Sequence, residues 1–209
     1  LKSEIKNNIV AKVGNSLITS IDLQNEVVTN GWSPSKRDNP HANSGIVVQI
    51  EPNTLPNYKA NDPFVCLDFQ KEVEHACWVA AGETQKVPAQ RLIDFLDNKV
   101  SVDFPTSSYI PGIASVNLND VLPQFITKKL KQAFEDFGKK MKGFLTNEAV
   151  LHAPESRTSS PVKIPRDKET LEHITTKGLY PCAEGAGYAG GIVSAAVDGM
   201  RIVDILAEK

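Results

Sequence analysis

Gly178-Leu-Tyr-Pro-Cys-Ala-Glu184-Gly-Ala-Gly187-Tyr-Ala-Gly-Gly191-Ile-Val-Ser-Ala-Ala-Val-Asp-Gly199 decides the reading of this chain. A short apolar strand at Leu179-Tyr180 is expected to run into a glycine cluster, with Glu184 at its carboxyl end, and then into a helix from Ile192 to Ile205. Gly185, Gly187, Gly190 and Gly191 let a backbone approach a ligand without interference from Cβ atoms. The helix opens with free N–H groups and the positive end of its dipole directed at the same place. Taken alone, a glycine turn before a helix also serves plain strand-to-helix packing, and that alternative stands beside the ligand-cradling one.

The run GLYPCAEGAGYAGGIVSAAVDG resembles the C-terminal flavin-binding motif of a family of FAD-dependent dehydrogenases related to the two-dinucleotide-fold flavoproteins. The resemblance implies that Glu184 holds a hydroxyl of the ribityl-diphosphate portion of FAD. It also implies that the amides of Gly190, Gly191 and Ile192 face the flavin, with Gly185, Gly187 and Tyr188 completing the cofactor-binding turn. Further blocks resemble the same family in the same order: Val28-Thr-Asn30-Gly31-Trp-Ser33-Pro-Ser-Lys36-Arg37-Asp38 with Ala42-Asn43-Ser44-Gly45, Asp62-Pro-Phe with Phe69-Gln70, Val87-Pro88-Ala89-Gln90-Arg91, and Ser156-Arg157-Thr158-Ser159-Ser160-Pro161 through Arg166-Asp167.

A flavoprotein of this type needs a strand, a Gly-x-Gly-x-x-Gly turn, a helix and a downstream acid to bind the ADP half of FAD. The sequence contains no such fingerprint and starts at Leu1. The expectation is therefore the C-terminal portion of a larger flavoprotein, or a product whose first domain was lost or replaced. The expected fold class is α/β with an α+β insert: a partial FAD-binding dinucleotide fold with a substrate or cap domain. The expected divisions are an N-terminal segment over 1–26, an active-site loop and strand over 27–50, the cap domain over 51–150 and the returning flavin-binding part over 151–209.

Residues 1–26 invite a separate reading. Asn8-Ile-Val-Ala-Lys-Val-Gly14-Asn15 and the following Leu17-Ile18, Ser20 and Asp22 resemble the opening of periplasmic peptidyl-prolyl isomerase chaperones, with a helix capped near Ser20. A generic β-hairpin followed by a capped helix accounts for the same residues. A hybrid sequence with its seam near Glu26 is one consequence of the chaperone reading.

Two weaker clusters carry candidate anion chemistry. Arg157 stands beside the hydroxyls of Thr158, Ser159 and Ser160, a bidentate donor among adjustable ones; the competing reading is a turn that happens to carry an arginine. Lys36 and Arg37 with Asn43 and Ser44 form the second, which could equally be a solvated loop. A carboxylate-bearing small-molecule substrate would suit both. The resemblance implies hydride transfer between FAD and that substrate, NAD(P)H or another carrier as electron partner, and enzymatic activity only when the ADP-binding half is joined. The opposing reading is a catalytically incomplete fragment or interaction module that binds no FAD.

Composition bounds the rest. The 209 residues, 41% hydrophobic and 23% charged, describe an ordinary globular chain, and a net charge of -2 offers no basic surface for nucleic acid. Lys128-Lys129-Leu-Lys131 and Lys139-Lys140-Met-Lys142 alternate with Glu135 and Asp136 as a solvated helix face. No apolar run reaches the roughly 20 residues of a membrane helix, so no membrane partner and a cytoplasmic setting are expected. Cys66, Cys77 and Cys182 are odd in number and lack ligand spacing, and His41, His75, His152 and His173 are scattered, so neither a disulfide framework nor a metal site is expected. Helices are expected over Asp68–Ala81 and Leu122–Phe137, the latter broken by Gly138 and Gly143, with Asn119 capping a short turn and Ile46–Ile50 a buried strand. Phe125, Phe134, Phe137 and Phe144 are expected in the core.

Overall fold

The computed structural model describes residues 7–13, 17–20, 24–32, 36, 41–157 and 163–208. The chain divides into two compact units, Asn8–Ser156 and Leu1–Asn7 with Arg157–Lys209. The larger is built on a five-stranded sheet in the order β4 (Ser44–Ile50), β1 (Asn7–Val13), β7 (Val150–Glu155), β5 (Val87–Arg91), β6 (Ile113–Ser115). β7 runs antiparallel to both β1 and β5, while β5 and β6 are parallel. β2 (Leu17–Ser20) and β3 (Thr29–Trp32) form a separate antiparallel ribbon. The fold is a mixed α and β one, and its main sheet is dominated by antiparallel pairing rather than by the parallel order of a dinucleotide fold.

The expected hairpin in the first 26 residues is not formed, because β1 and β2 enter different sheets. The turn expected at Gly14-Asn15 lies outside the described residues, and residues 24–28 hold a turn and a bridge rather than a helix.

Helix α1 (Val65–Ala80) covers β5 and β7. Its buried residues Val65, Cys66, Phe69, Val73 and Cys77 follow the three-to-four spacing of one helical face. The Asp62 carboxylate accepts the Phe64 N–H at 2.9 Å, and the helix stops at Gly82, whose φ of +85° suits a residue without a Cβ. Burial raises the Cys77 thiol well above its ordinary range, with the buried Glu74 carboxylate adding to the effect. Glu74 itself accepts hydrogen bonds from Gln70 and Ser156. Cys66 is also buried, whereas Cys182 is exposed.

β5 is buried along four of its five residues. Its Gln90 amide donates to Lys99 O at 2.7 Å and Asn117 Oδ1 at 3.2 Å, and its oxygen accepts the Leu118 N–H at 2.9 Å. Arg91 follows, with its guanidinium on Asp103 at 2.7 Å and on Asn147 O at 2.5 Å. The chain then turns directly into α2 (Leu92–Asp97), which resolves the helix-or-strand ambiguity of this stretch as a strand followed by a helix. Asn117 rather than Asn119 caps the short α3 (Leu118–Val121), accepting the Asn119 N–H on its side chain.

Helix α4 (Gln124–Lys140) runs through Gly138 instead of breaking there. A Cβ at Gly138 would stand 2.5 Å from Leu145 Cδ1 and 2.6 Å from Cγ, so this glycine serves close packing of the returning chain. Phe134 is fully buried and meets Phe95 edge-on at 6.0 Å, while Phe144 contacts both Phe134 and Phe137. Phe125, Phe137 and Phe144 are only half-buried. Among the described residues no helix is long and apolar enough to cross a membrane.

The smaller unit contains α5 (Ile192–Ala207) after a long run of turns. The strand expected at Leu179-Tyr180 is absent. Leu179 is held in a loop, its carbonyl accepting the His173 N–H at 2.8 Å, and Pro181 supplies no donor to extend a ladder.

The Leu145 contact makes a definite expectation. Gly138→Ala should lower stability by about 1 kcal/mol net, overpacking outweighing the helix-propensity gain. Combining it with Leu145→Ala should make the alanine at 138 neutral or favourable, which urea unfolding of the four-member cycle would measure.

Candidate functional site

Arg166 and Asp198 organise the turn that precedes α5. The guanidinium engages the carboxylate two-pronged, Nη2 to Oδ1 at 2.6 Å and Nη1 to Oδ2 at 2.9 Å, and Nη1 also donates to Pro181 O at 2.7 Å. Asp198 Oδ2 accepts the Ala183 N–H at 2.9 Å. The side chains are only 6% and 10% exposed, so the pair acts in a partly desolvated setting where two-pronged geometry counts most. The hydrogen-bonded Arg166 guanidinium, helped by the Ala183 amide, holds the Asp198 carboxyl below its ordinary value against the opposing effect of burial.

This anchor fixes the glycine turn to the second turn of α5. Ala183 and Gly187 both take left-handed backbones, φ +59° and +78°, and the turn closes through Gly187 N–H to Glu184 O at 2.9 Å and Tyr188 N–H to Ala183 O at 3.0 Å. The Tyr188 ring lies against the Arg166 guanidinium at 3.7 Å and the Lys163 ammonium at 4.4 Å, and its hydroxyl donates to Ile164 O at 2.9 Å. Tyr188 is thereby engaged on both ring and hydroxyl by segment 163–166.

The first intrahelical bond of α5 runs from Ala195 N–H to Gly191 O at 2.8 Å. The Ser194 hydroxyl accepts the Gly191 N–H at 3.1 Å, and, as at any helix start, the Ile192 to Ser194 amides precede the first i to i−4 bond. No acidic residue occupies that turn, and Ile192 is 93% exposed. Glu184, Gly185 and Gly190 are exposed beside it, and a Cβ on Gly185 would meet nothing within 4 Å, so the open side of the turn is not filled by the protein itself. Gly191 is extended, with φ -137°, and its backbone does not require glycine.

The seven residues expected to bind a cofactor, Glu184, Gly185, Gly187, Tyr188, Gly190, Gly191 and Ile192, therefore belong to one turn and one helix start. Of the two anion clusters, Lys36 is exposed, Asn43 half-buried and Ser44 exposed at the first position of β4, all in the larger unit. Arg157 is exposed in the smaller unit. Arg37, Thr158, Ser159 and Ser160 lie outside the described residues. Sequence reasoning passed over Arg166 and Asp198. The one available signal was an aspartate among the apolar residues of the first half of α5, which needs a partner if its face is buried.

A sequence family described as FAD-dependent protein, C-terminal domain-like, matches residues 13–158. The chain belongs to this family. The match takes in nearly all of the larger unit and starts inside the first 26 residues; the glycine turn lies beyond it. An uncharacterized protein of Clostridium beijerinckii (strain ATCC 51743 / NCIMB 8052) is 36% identical over 198 residues, covering 94% of this chain and 36% of the relative. The chain thus spans little more than a third of that relative's length. An alignment of that extent takes in the glycine turn and, like the family match from residue 13, reaches into the first 26 residues, and the chaperone likeness finds no support. Membership ties the chain to FAD-dependent proteins as a flavoprotein-related region. The open turn and the acid-free helix start offer amide donors and unfilled space of the kind a polar edge of such a cofactor requires.

Because Asp198 has a lowered pKa in the folded chain, its contribution is complete above the unfolded aspartate value and is lost as pH falls through the folded value. The Ala183 amide should lose exchange protection across that acid window, as followed by NMR. Asp198→Ala, which strands Arg166, should cost about 3 kcal/mol and abolish the protection at neutral pH.

Proposed function

We propose that this chain supplies the flavin-facing helix and the substrate-side region of an FAD-dependent oxidoreductase whose nucleotide-binding half belongs to the longer polypeptide. The observation that carries the reading is the open glycine turn, clamped by Arg166–Asp198 onto a helix whose first amides are unsatisfied, in a chain of an FAD-dependent family. The Ile192–Ser194 amides would donate to the electron-rich edge of the cofactor, and the exposed Glu184 would accept from one of its hydroxyls. FAD, when bound, supplies two-electron hydride chemistry, and the protein's part is to bind and orient it.

The surface of α5 supports the same reading. Ile192, Val193, Val197, Met200 and Val203 are 93%, 75%, 48%, 64% and 63% exposed and recur along one side of the helix. An apolar stripe of that kind is suited to covering by another layer of structure, and the sheet of a dinucleotide-binding half would provide it. Each anion cluster taken by itself, Lys36 with Arg37 or Arg157 with its hydroxyls, is of the chemistry that suits a carboxylate-bearing substrate, with NAD(P)H or another carrier as the electron partner. The same exposed stripe also favours a second reading, in which this region alone binds no FAD and serves as the docking part of the assembly.

The full-length Clostridium relative tests the proposal. It is expected to purify with a flavin spectrum or to take up added FAD, and a folded, colourless protein that takes up none would overturn the reading. The 209-residue chain alone should show weak or absent quenching of FAD fluorescence and no rise in thermal midpoint, since the phosphate-binding contacts are missing from its sequence. Strong saturable quenching by this chain would instead eliminate the docking-only reading.

A further inference from the structure

We infer that a groove in the unit Asn8–Ser156 binds a small organic cation with an aromatic body, an arylalkyl ammonium. The groove has a volume of about 840 Å³ and lies among the turn following Pro52–Thr54, the edge of α1 where its buried Val65 and Phe69 meet its exposed Asp68 and Glu72, and the start of α4. That size is ordinary for a small-molecule site. It contains none of the residues assigned to the flavin turn or the anion clusters, and the inference is independent of the flavin reading.

Its floor is aromatic. Phe69 and Phe125 stand with ring centroids 6.0 Å apart at 32°, flanked by Leu55 and Val65, while Tyr58 stands 41% exposed among the other lining residues. Phe69 is 8% exposed and Phe125 half-buried, so both rings border the groove from a largely dry setting, where an aromatic ring attracts a cation that has shed part of its water. Its wall is acidic. Val65, Asp68, Phe69 and Glu72 recur at three- and four-residue steps and so present one face of α1 to the groove. Asp62, Asp68 and Glu72 line it against a single cation, Lys59.

The carboxylates differ in what the fold asks of them. Asp62 accepts the Phe64 N–H, and Asp68 stands in the first turn of α1, where an acid complements the helix dipole. Glu72 has neither reason. Among the described residues neither the Asp68 nor the Glu72 carboxylate makes a hydrogen bond or ion pair; the Asp68 backbone N–H donates to Phe64 O at 2.8 Å. Placed four residues apart, they repel each other, at a cost of a few tenths of a kcal/mol that a bound ammonium would relieve. An aromatic floor beside two unpaired carboxylates suits a molecule with a flat apolar body and a protonated amine within one helical turn of it, and disfavours its carboxylate counterpart.

Tryptamine and indole-3-propionate, similar in shape and opposite in charge, provide the test. Calorimetry and heteronuclear NMR titration of the 209-residue chain should show saturable tryptamine binding with shifts at Phe69 and Phe125, and none with the propionate. The double variant D68N/E72Q, altered only at exposed positions, should keep its thermal midpoint and bind tryptamine about tenfold more weakly, with less dependence on salt. Equal binding of both probes, no saturable tryptamine binding, shifts mapping outside the groove, or unchanged affinity in the double variant would each overturn the inference.

Discussion

A strand buried along its length must find partners for every polar group it carries, and β5 is placed under that constraint. Ladder pairing with β7 and β6 takes up part of its backbone and the Ser101 hydroxyl accepts the Arg91 N–H at 2.8 Å, but Gln90 and Arg91 also bring an amide and a guanidinium into the same region. The structure answers by wrapping chain around them. The turn after α2, the start of α3, the loop at Asp103 and the approach to β7 all terminate on these two side chains. Helices α1 and α3 pack on β5, whose polar side chains are already anchored, while α4 packs on α3 and β4.

The smaller unit solves a similar problem with charge. Asp198 on α5 and Arg166 on a loop are costly to bury singly and tolerable together, and the spare valence of the carboxylate is spent on the Ala183 amide. The left-handed residue at 183 and the tight closure from 184 to 188 follow from that anchoring. The turn is thus shaped by its neighbours while its outer side stays empty.

Periodicity made the helices legible. α1, α4 and α5 announce themselves through apolar residues at three- and four-residue steps, with boundaries displaced by a few positions. The strands were less readable, because β7 carries His152 and Pro154 and β5 carries Pro88, so neither shows alternation. The failed strand at Leu179-Tyr180 shows the limit of a two-residue apolar signal when no neighbouring strand is present to bond with it. Gly138 was read as a breaker because its partner, Leu145, lies in the following turn, a contact that no local pattern expresses. The glycine turn itself was visible, and the family resemblance drew attention to it. Its Arg166–Asp198 anchor, 32 residues apart in sequence, was not.

The sorting of the three cysteines by burial has a practical side. Cys66 and Cys77 are enclosed on the buried face of α1, and the environment of Cys77 strongly opposes formation of a thiolate, while Cys182 is open to solvent one residue before the left-handed Ala183. A thiol-directed electrophile arriving from solution therefore meets one accessible thiol, at the base of the glycine turn. The native chain carries its own attachment point for a spectroscopic label, positioned to sense whatever comes to rest against the start of α5.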